Sequence, residues 1–198
     1  MISAILLAAG ESQRMGSANK LLLPFGDRTF IEHSITKYLA TQVDEVIVVV
    51  GHENKDVLAK IEYIDGIKTV VNSRYKEGMT TSIQAGVKES NPKTNGYLIA
   101  PTDLPFITID EINQVIQEFR KNYNRDDKLI AVPNFNNQDG HPIIFSNAHK
   151  TAILNHTIMS GCKQIKKDNP HHVIRVHLDK GEFLVDIDTK EDYNNLAR

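Results

Sequence analysis

Short apolar segments alternate with segments of helical periodicity along the chain. Residues 2–7 and 45–51 are nearly continuous apolar runs, the second rich in valine, as expected of central strands that are covered on both faces. Between them, residues 29–40 place an apolar stripe on one helical face. This alternation predicts an α/β fold of three layers, in which a mostly parallel central sheet carries helices in a Rossmann-like arrangement.

The remaining elements follow from the same two periodicities. Thr108 and Glu111 form a capping-box pattern that starts a helix, and Thr189 with Asp192 starts a last short helix. The polar stretch 134–140 is predicted to be a connecting loop. Further strands are predicted at 68–71, 97–100, 129–132, 142–145 and 172–178, further helices at 56–61 and 79–88, and a helical region at about 147–167. No internal repeat, low-complexity tract or linker interrupts this series, so residues 1–198 are expected to form a single domain.

Composition and charge favour a small-molecule ligand. Of the 198 residues, 40% are hydrophobic and 24% are charged, and the formal net charge is -2. Such a chain lacks the overall basic surface that attracts nucleic acid or an anionic membrane, so we expect it to bind neither. No apolar run approaches the roughly 20 residues of a membrane span, and no basic residue precedes the apolar N-terminal run as it would in a signal peptide. These features predict a cytoplasmic protein.

The loop after the first predicted strand has the features of a phosphate-binding turn. Ala8, Ala9 and Gly10 are small, so the backbone can approach a ligand closely and direct its amides at phosphate oxygens. Arg14 and Lys20 add cationic groups within reach of the same turn. The spacing fits neither a P-loop nor the dinucleotide-binding G-x-G-x-x-G pattern. A plain strand-to-helix turn with solvated Arg and Lys is the alternative.

Carboxylates at two other loops predict a magnesium site. Asp103 follows a buried apolar strand, where an ionised side chain is costly unless it meets a cation or several donors. Mg²⁺ prefers oxygen ligands and often takes one or two protein carboxylates, while substrate phosphates and waters fill the other positions. Asp188 is the natural second ligand, and Asp186 competes for that place. The alternatives are an ordinary turn residue at Asp103 and an ordinary helix start at Asp188.

Five motifs together resemble the family of molybdenum cofactor nucleotidyltransferases. The longest is LLAAGESQRMGSANKLLLPFG, at residues 6–26. The others are Asn72 with Gly78-Met79 and Ser82, then Pro101-Thr102-Asp103-Leu104-Pro105, then Gly140-His141-Pro142, and last Asp186-Ile187-Asp188-Thr189 with Asp192. They span nearly the whole chain in the family's order. The resemblance implies the nucleotidyltransferase fold, with a nucleotide-binding part at about 1–110 and an acceptor-binding part at about 130–185.

The resemblance also implies a role for each motif. Arg14 would hold the outer phosphates of a nucleoside triphosphate, and Lys20 would neutralise charge at the phosphorus under attack. Asp103 and Asp188 would bind Mg²⁺, and His141 would lie near the acceptor. The nucleotide-binding set implied by the family consists of Leu7, Ala8, Ala9, Gly10, Ser12, Arg14, Lys20, Asn72, Gly78, Ser82 and Pro101.

The implied reaction is attack by an acceptor phosphate oxygen on the α-phosphorus, with release of pyrophosphate; such a displacement depends on positioning and charge neutralisation. The Ala8-Ala9-Gly10 turn is similar to that of the cytidine-using members, since guanine-using relatives tend to have a second glycine in the middle, and this favours CTP. The implied acceptor is molybdopterin or the molybdenum cofactor, and a molybdoenzyme is the expected recipient of the product.

Two segments depart from the family. Pro101-Thr102 stand where Gly or Leu-Gly commonly precedes the metal aspartate, which hardly affects metal binding. Residues 158–163 read Ile-Met-Ser-Gly-Cys-Lys, where the cytidine-using members usually carry G-D-x-G-A-R on the acceptor side. Another phosphorylated acceptor therefore stays open, as do GTP as the nucleotide and a non-catalytic protein that carries the cofactor. Cys162, the only cysteine, has no partner for an internal disulfide and lacks the spacing of a zinc site.

Overall fold

The computed structural model describes residues 1–12, 15 and 19–195 of the chain. The strands are β1 (Ile2–Ala8), β2 (Pro24–Phe25), β3 (Arg28–Thr29), β4 (Glu45–Val50), β5 (Ile67–Val71), β6 (Gly96–Pro101), β7 (Ile130–Phe135), β8 (Gln138–Asp139), β9 (Ile143–Ser146) and β10 (Val173–His177). The helices are α1 (Phe30–Leu39), α2 (Asn54–Ile61), α3 (Met79–Glu89), α4 (Ile109–Tyr123), α5 (Lys150–Leu154), α6 (Lys163–Asp168) and α7 (Lys190–Asn195).

The central sheet is mostly parallel, as predicted. It has eight strands in the order β10-β7-β9-β6-β1-β4-β5, with β8 paired to β7. β1 pairs in parallel with both β4 and β6, and β4 pairs in parallel with β5. β9 is antiparallel to β6 and β7, so its amino end lies beside the carboxyl end of β6. The carboxyl ends of β1 and β6, which precede the predicted loops, therefore meet at one edge of the sheet.

Two hydrophobic cores cover the two faces of this sheet. Side chains alternate along β1, so that Ala4 and Leu6 join the core beneath α1, α2 and α4, while Ile5 joins the core beneath α3, α5 and α6. All three are fully buried. Because successive side chains of a strand point to opposite faces, the continuous apolar run in β1 requires cover on both sides, and the prediction of three layers is confirmed.

Helices α1 and α4 both begin with a capping box, which the sequence predicts at Thr108. Thr108 accepts a hydrogen bond from the Glu111 backbone amide at 3.2 Å, and the Glu111 carboxylate accepts one from the Thr108 backbone amide at 2.8 Å. Thr29 and Glu32 form the same reciprocal cap at the start of α1. Each cap satisfies two backbone donors that a helix start would otherwise leave unpaired.

The helical region predicted at about 147–167 consists of two short helices separated by a non-helical segment. The chain forms α5, leaves the helical conformation at Asn155, and resumes as α6 at Lys163. The Gln84 side-chain amide of α3 lies 2.9–3.1 Å from the carbonyl oxygens of Ile153, Leu154 and His156, and so satisfies the end of α5 from outside. Periodicity could not predict this stop because the group that satisfies these carbonyls comes from a distant helix.

The polar stretch 134–140 is also more ordered than a connecting loop. β7 extends to Phe135 and pairs with β8 in a tight hairpin. Its turn residues Asn136 and Asn137 have φ values of 48° and 64°. Asparagine tolerates this left-handed region, and two such residues in succession are typical of a two-residue hairpin turn. Within the part of the chain that the structure describes, no helix is long and apolar enough to cross a membrane.

We predict that Gly78→Ala destabilises the fold. Gly78 has a φ of 124°, and a Cβ there would lie 2.6 Å from the Met159 carbonyl oxygen, in the segment between α5 and α6. Backbone strain and the clash together should lower the free energy of unfolding by about 3 kcal/mol, measured by urea denaturation.

Gly10→Ala is the matched control. A Cβ at Gly10 meets nothing within 4 Å among the described residues, and its φ lies outside the left-handed region. Its unfolding free energy should match that of the parent chain. Equal stability of the two variants would contradict the packing role of Gly78.

Candidate functional site

A buried lysine lies between two aspartates at the carboxyl edge of the sheet. The Lys20 Nζ atom is 3.0 Å from Asp103 Oδ2 and 3.3 Å from Asp188 Oδ1. The Lys20 side chain is only 9% exposed, and those of Asp103 and Asp188 are 24% and 28% exposed. The structure therefore brings together three residues that the sequence singled out from three separate loops, and it pairs their charges at short range.

Two side chains fix the backbone of Lys20. Asn19 accepts a hydrogen bond from the Leu21 amide at 3.1 Å and so caps a short 3₁₀ turn that contains Lys20. The Ser12 hydroxyl oxygen accepts a hydrogen bond from the Lys20 amide at 3.3 Å. Because these two hydrogen bonds hold the main chain around Lys20, they direct its ammonium group towards Asp103 and Asp188.

The Asp103 backbone is held from two directions. The Thr102 hydroxyl donates a hydrogen bond to the Leu7 carbonyl at 2.9 Å, which ties the end of β6 to the end of β1. On the other side, Lys37 of α1 donates to the Pro105 carbonyl at 2.5 Å, and burial lowers the pKa of Lys37 to about 8. These bonds position the aspartate from both the sheet and helix α1.

A local hydrogen-bond cluster positions Asp188. The Ile187 amide donates to the Asp103 carbonyl at 3.2 Å, which joins this late segment to the end of β6. The Asp192 carboxylate accepts hydrogen bonds from the Asp188 amide at 3.1 Å and the Thr189 amide at 2.7 Å. Hydrogen bonds from Thr189 lower the pKa of Asp192, since they stabilise its charged form. The helix-start pattern at Thr189 is thus real, and it also orients Asp188.

The competing carboxylate, Asp186, lies near the same cluster. Burial raises its pKa, and the negative charges of Asp188 and Asp103 raise it further. Asp188, not Asp186, approaches Lys20 within 3.3 Å.

The donor set fits a hard divalent cation that completes its shell with substrate. Among residues 1–12, 15 and 19–195, no group of three or more His, Cys, Asp or Glu residues is arranged to hold a metal ion. Asp103 and Asp188 face a common cation, Lys20, and offer carboxylate oxygens only. This suits Mg²⁺, which commonly takes one or two protein carboxylates with phosphate oxygens and waters as the remaining ligands.

Two cavities meet at the aspartate pair. The first has a volume of about 340 Å³ and is bounded by the glycine turn, Lys20 and Thr102. The second has a volume of about 500 Å³ and extends towards β9 and the segment before α6. Asp103 and Asp188 line both cavities. A group bound in one cavity can therefore face a group bound in the other across the two carboxylates.

The predicted nucleotide-binding residues lie in several different parts of the structure. Leu7, Gly10, Ser12 and Lys20 line the first cavity. Pro101 lines the second cavity. Ala8 and Ala9 are buried behind the turn, at 1% and 5% exposure, and Arg14 lies outside the described residues.

Asn72, Gly78 and Ser82 lie together at the start of α3. The Asn72 side-chain amide donates to the Ser82 hydroxyl at 2.9 Å, and both residues are buried. Gly78 packs against Met159. None of the three is among the described residues that line the two cavities. In this structure they connect the end of β5 to α3.

The second cavity combines an apolar wall with a polar end. Its apolar side includes Ile99, Ile143 and Phe145. His141 also lines it, and burial lowers the pKa of His141, so its imidazole is neutral at pH 7. The buried His141 Nδ1 atom has no hydrogen-bond partner among the described residues.

A charge network borders the same cavity. Asp139 accepts from Lys166 Nζ at 3.0 Å, from Arg175 Nε at 3.0 Å and from Asn134 Nδ2 at 2.8 Å. Cys162 also lines the wall, and burial raises the pKa of its thiol to about 12, so the thiol remains protonated.

Sequence reasoning missed several of these residues. Thr102, Glu11 and Leu21 line the first cavity beside the predicted ones. Their positions within the motifs at 6–26 and 101–105 are a signal that could have found them. Lys166 and Asp139 stand outside every motif, and only the folded chain brings them together.

The chain matches a known protein family over most of its length. Residues 4–173 match the MobA-like NTP transferase domain. The chain is 27% identical to molybdenum cofactor cytidylyltransferase of Escherichia coli over 192 residues, which cover 97% of this chain and 93% of that protein.

Solved structures share the fold over nearly the whole length. The homolog of Mycobacterium tuberculosis Rv0371c from Mycobacterium sp. strain JC1 superposes with a TM-score of 0.83 at 28% identity, covering 99% of this chain and 95% of that chain. The manganese complex of Rv0371c itself gives a TM-score of 0.79 at 24% identity, with 98% and 97% covered. With residues 4–173 inside the family's domain, the chain belongs to the MobA-like NTP transferases and is a nucleotidyltransferase.

Proposed function

We propose that this enzyme transfers CMP from CTP to a phosphorylated acceptor, molybdopterin or the molybdenum cofactor, in a Mg²⁺-dependent reaction that releases pyrophosphate. The observation that carries this proposal is the pair of cavities that meet at Asp103 and Asp188 beside Lys20. Nucleotidyl transfer needs two phosphate-bearing substrates to face each other across a site that neutralises negative charge.

The first cavity is assigned to the triphosphate. The turn at Gly10 leaves room for phosphate oxygens near backbone amides, and Lys20 supplies a positive charge at the junction. Arg14, in the same turn, is proposed to bind the outer phosphates of the leaving group. We keep the proposed division into a nucleotide-binding part at about 1–110 and an acceptor-binding part at about 130–185, although Pro101 and Ile99 of the first part also line the second cavity.

The second cavity is assigned to the acceptor. It is the larger of the two, and its apolar wall can cover a ring system while His141 offers an imidazole hydrogen bond. The acceptor phosphate reaches the junction, where one of its oxygens attacks the α-phosphorus in line and the bond to the bridging oxygen of pyrophosphate breaks. The acceptor phosphate is already ionised near pH 7, so the protein need not supply a general base.

Asp103 and Asp188 would hold the metal ion, which would supply positive charge to the phosphate oxygens of the two substrates. Lys20 stabilises the negative charge that develops around the α-phosphorus. Thr102 and Asp192 keep the two aspartates in place through the bonds described above. The manganese complex of a structural neighbour supports a divalent cation in this fold.

The choice of CTP is supported by the Ala8-Ala9-Gly10 turn and by the similarity of nearly the whole chain to a cytidylyltransferase. The same similarity supports a molybdenum cofactor acceptor. We further propose a molybdoenzyme as the recipient of the product and the cytoplasm as the place of reaction. Nothing in the described residues favours the alternative of a carrier without catalysis.

We predict that Asp103→Asn lowers the rate of pyrophosphate release about 10²- to 10³-fold, because the amide cannot supply the charge that holds the metal. Release is measured with CTP, Mg²⁺ and the molybdenum cofactor. Asp110→Asn, the same change at an exposed position in the first turn of α4, should leave the rate unchanged. Turnover by Asp103→Asn at the parent rate would refute the assignment of the site.

We predict that CTP raises the melting temperature more than GTP does when Mg²⁺ is present. A ligand at a hundredfold excess over its Kd stabilises the folded state by about 2.7 kcal/mol, so a difference in affinity appears directly in the shift. A larger shift with GTP would reject CTP as the nucleotide and leave the reaction class intact.

His141→Gln should raise the KM for the acceptor about tenfold, the equivalent of one lost hydrogen bond. The CTP-induced rise in melting temperature should not change, because His141 lies in the second cavity. His177→Gln, at an exposed position on β10, is the control. An unchanged acceptor KM in His141→Gln would exclude His141 from the acceptor site.

A further inference from the structure

The position of Lys20 has a consequence for metal binding. Its ammonium group lies 3.0 and 3.3 Å from the two carboxylates that would hold the metal. In this structure the lysine is thus the counter-ion of the metal-binding pair. A divalent ion that approaches Asp103 and Asp188 meets two negative charges, one of which Lys20 already neutralises.

The Lys20 ammonium group and a divalent metal ion would compete for the same two carboxylates. A metal ion bound to both carboxylates at about 2.1 Å would lie only a few ångströms from an ammonium group that still touched them. At a separation of about 4 Å, a monovalent and a divalent cation repel each other by several kcal/mol in a partly buried site. The metal therefore binds well only when the Lys20 ammonium has another anionic partner.

The burial of Lys20 limits which anion can be the other partner of its ammonium group. The Lys20 side chain is 9% exposed, so its charge is stable only with a polar or anionic partner at short range. Its backbone is fixed by Asn19 and Ser12, which leaves rotation of the long side chain as the available movement. Lys20 lines the first cavity together with the glycine turn, so an anion bound there lies within its reach.

We propose that Lys20 is an exchangeable counter-ion that makes metal binding conditional on the triphosphate. When a triphosphate occupies the first cavity, the ammonium group moves from the carboxylates to the phosphate oxygens, and the metal takes its place on Asp103 and Asp188. The chain then binds the metal–triphosphate complex strongly and the free divalent cation weakly. This inference rests on the proposed function in assigning the triphosphate to the first cavity.

The test measures binding of Mn²⁺ alone, with no nucleotide and no turnover. Electron paramagnetic resonance of free Mn²⁺ gives the Kd for the parent chain and for Lys20→Met. We expect Lys20→Met to bind Mn²⁺ at least about tenfold more tightly, because the ammonium group that competes with the ion at this pair is removed. The Lys20→Met/Asp103→Asn double variant should lose that gain, which would locate the ion at this pair.

Lys68→Met is the matched control. Lys68 Nζ lies 3.0 Å from Glu89 Oε2, so this variant removes one lysine from an ion pair of the same length on the exposed surface. Its Mn²⁺ affinity should equal that of the parent chain. Affinity in Lys20→Met that is equal to or weaker than that of the parent would overturn the proposal.

A second measurement uses the parent chain and does not depend on the folding of Lys20→Met. The rise in melting temperature with Mn²⁺ and a non-hydrolysable α,β-methylene analogue of CTP together should exceed the sum of the rises with each alone. Additive rises would overturn the exchange. If the exchange is observed but no combination of nucleotide and acceptor releases pyrophosphate, the proposed reaction is refuted and the counter-ion role of Lys20 stands. If pyrophosphate is released but the exchange is not observed, only the counter-ion role is refuted.

Discussion

The buried ion pair of Lys20 with Asp103 and Asp188 is the interaction on which the rest of the site depends. A charged group that loses water is stable only with partners at short range, and leaving such a group unpaired costs about 3–5 kcal/mol. Lys20 and Asp103 are 83 residues apart in the chain, and Lys20 and Asp188 are 168 residues apart. The loop after β1, the end of β6 and the segment before α7 must therefore meet at one point.

The sheet makes this meeting possible. β1 and β6 are adjacent and parallel, so their carboxyl ends lie side by side, and the Thr102 hydroxyl bond to the Leu7 carbonyl ties them together. β9 runs in the opposite direction and so brings His141 to the same edge. One antiparallel strand in a parallel sheet thus adds a second cavity beside the first, where an open parallel sheet alone would offer one crevice.

The polar contacts around the site hold backbone more than they hold side chains. Asn19 and Ser12 fix the main chain of Lys20, and Asp192 fixes that of Asp188. The ends of the charged side chains remain the movable parts. This arrangement suits the proposed exchange of cations on Asp103 and Asp188, since each charged group needs only a rotation of its side chain to find a new partner.

Much of the fold and the centre of the site could be predicted from the sequence because the signals are local. Period-two and period-3.6 patterns predicted the main strands and most of the helices, and Thr108 with Glu111 marked the start of α4. Asp103 and Lys20 stood out as charged residues beside buried strands and small residues. The break inside the helical region predicted across 147–167 could not be predicted, because Gln84, far away in the chain, satisfies the carbonyl groups where α5 stops.

The sequence by itself therefore determined the α/β class, the family and the identity of the charged residues. Only the tertiary structure decided that Asp188, and not Asp186, approaches Lys20, that Pro101 lines the second cavity, and that Lys166 meets Asp139. The physical reason is that local patterns depend on neighbours within a few residues, whereas the charge partners at the site come from strand ends whose proximity is set by the pairing order of the sheet.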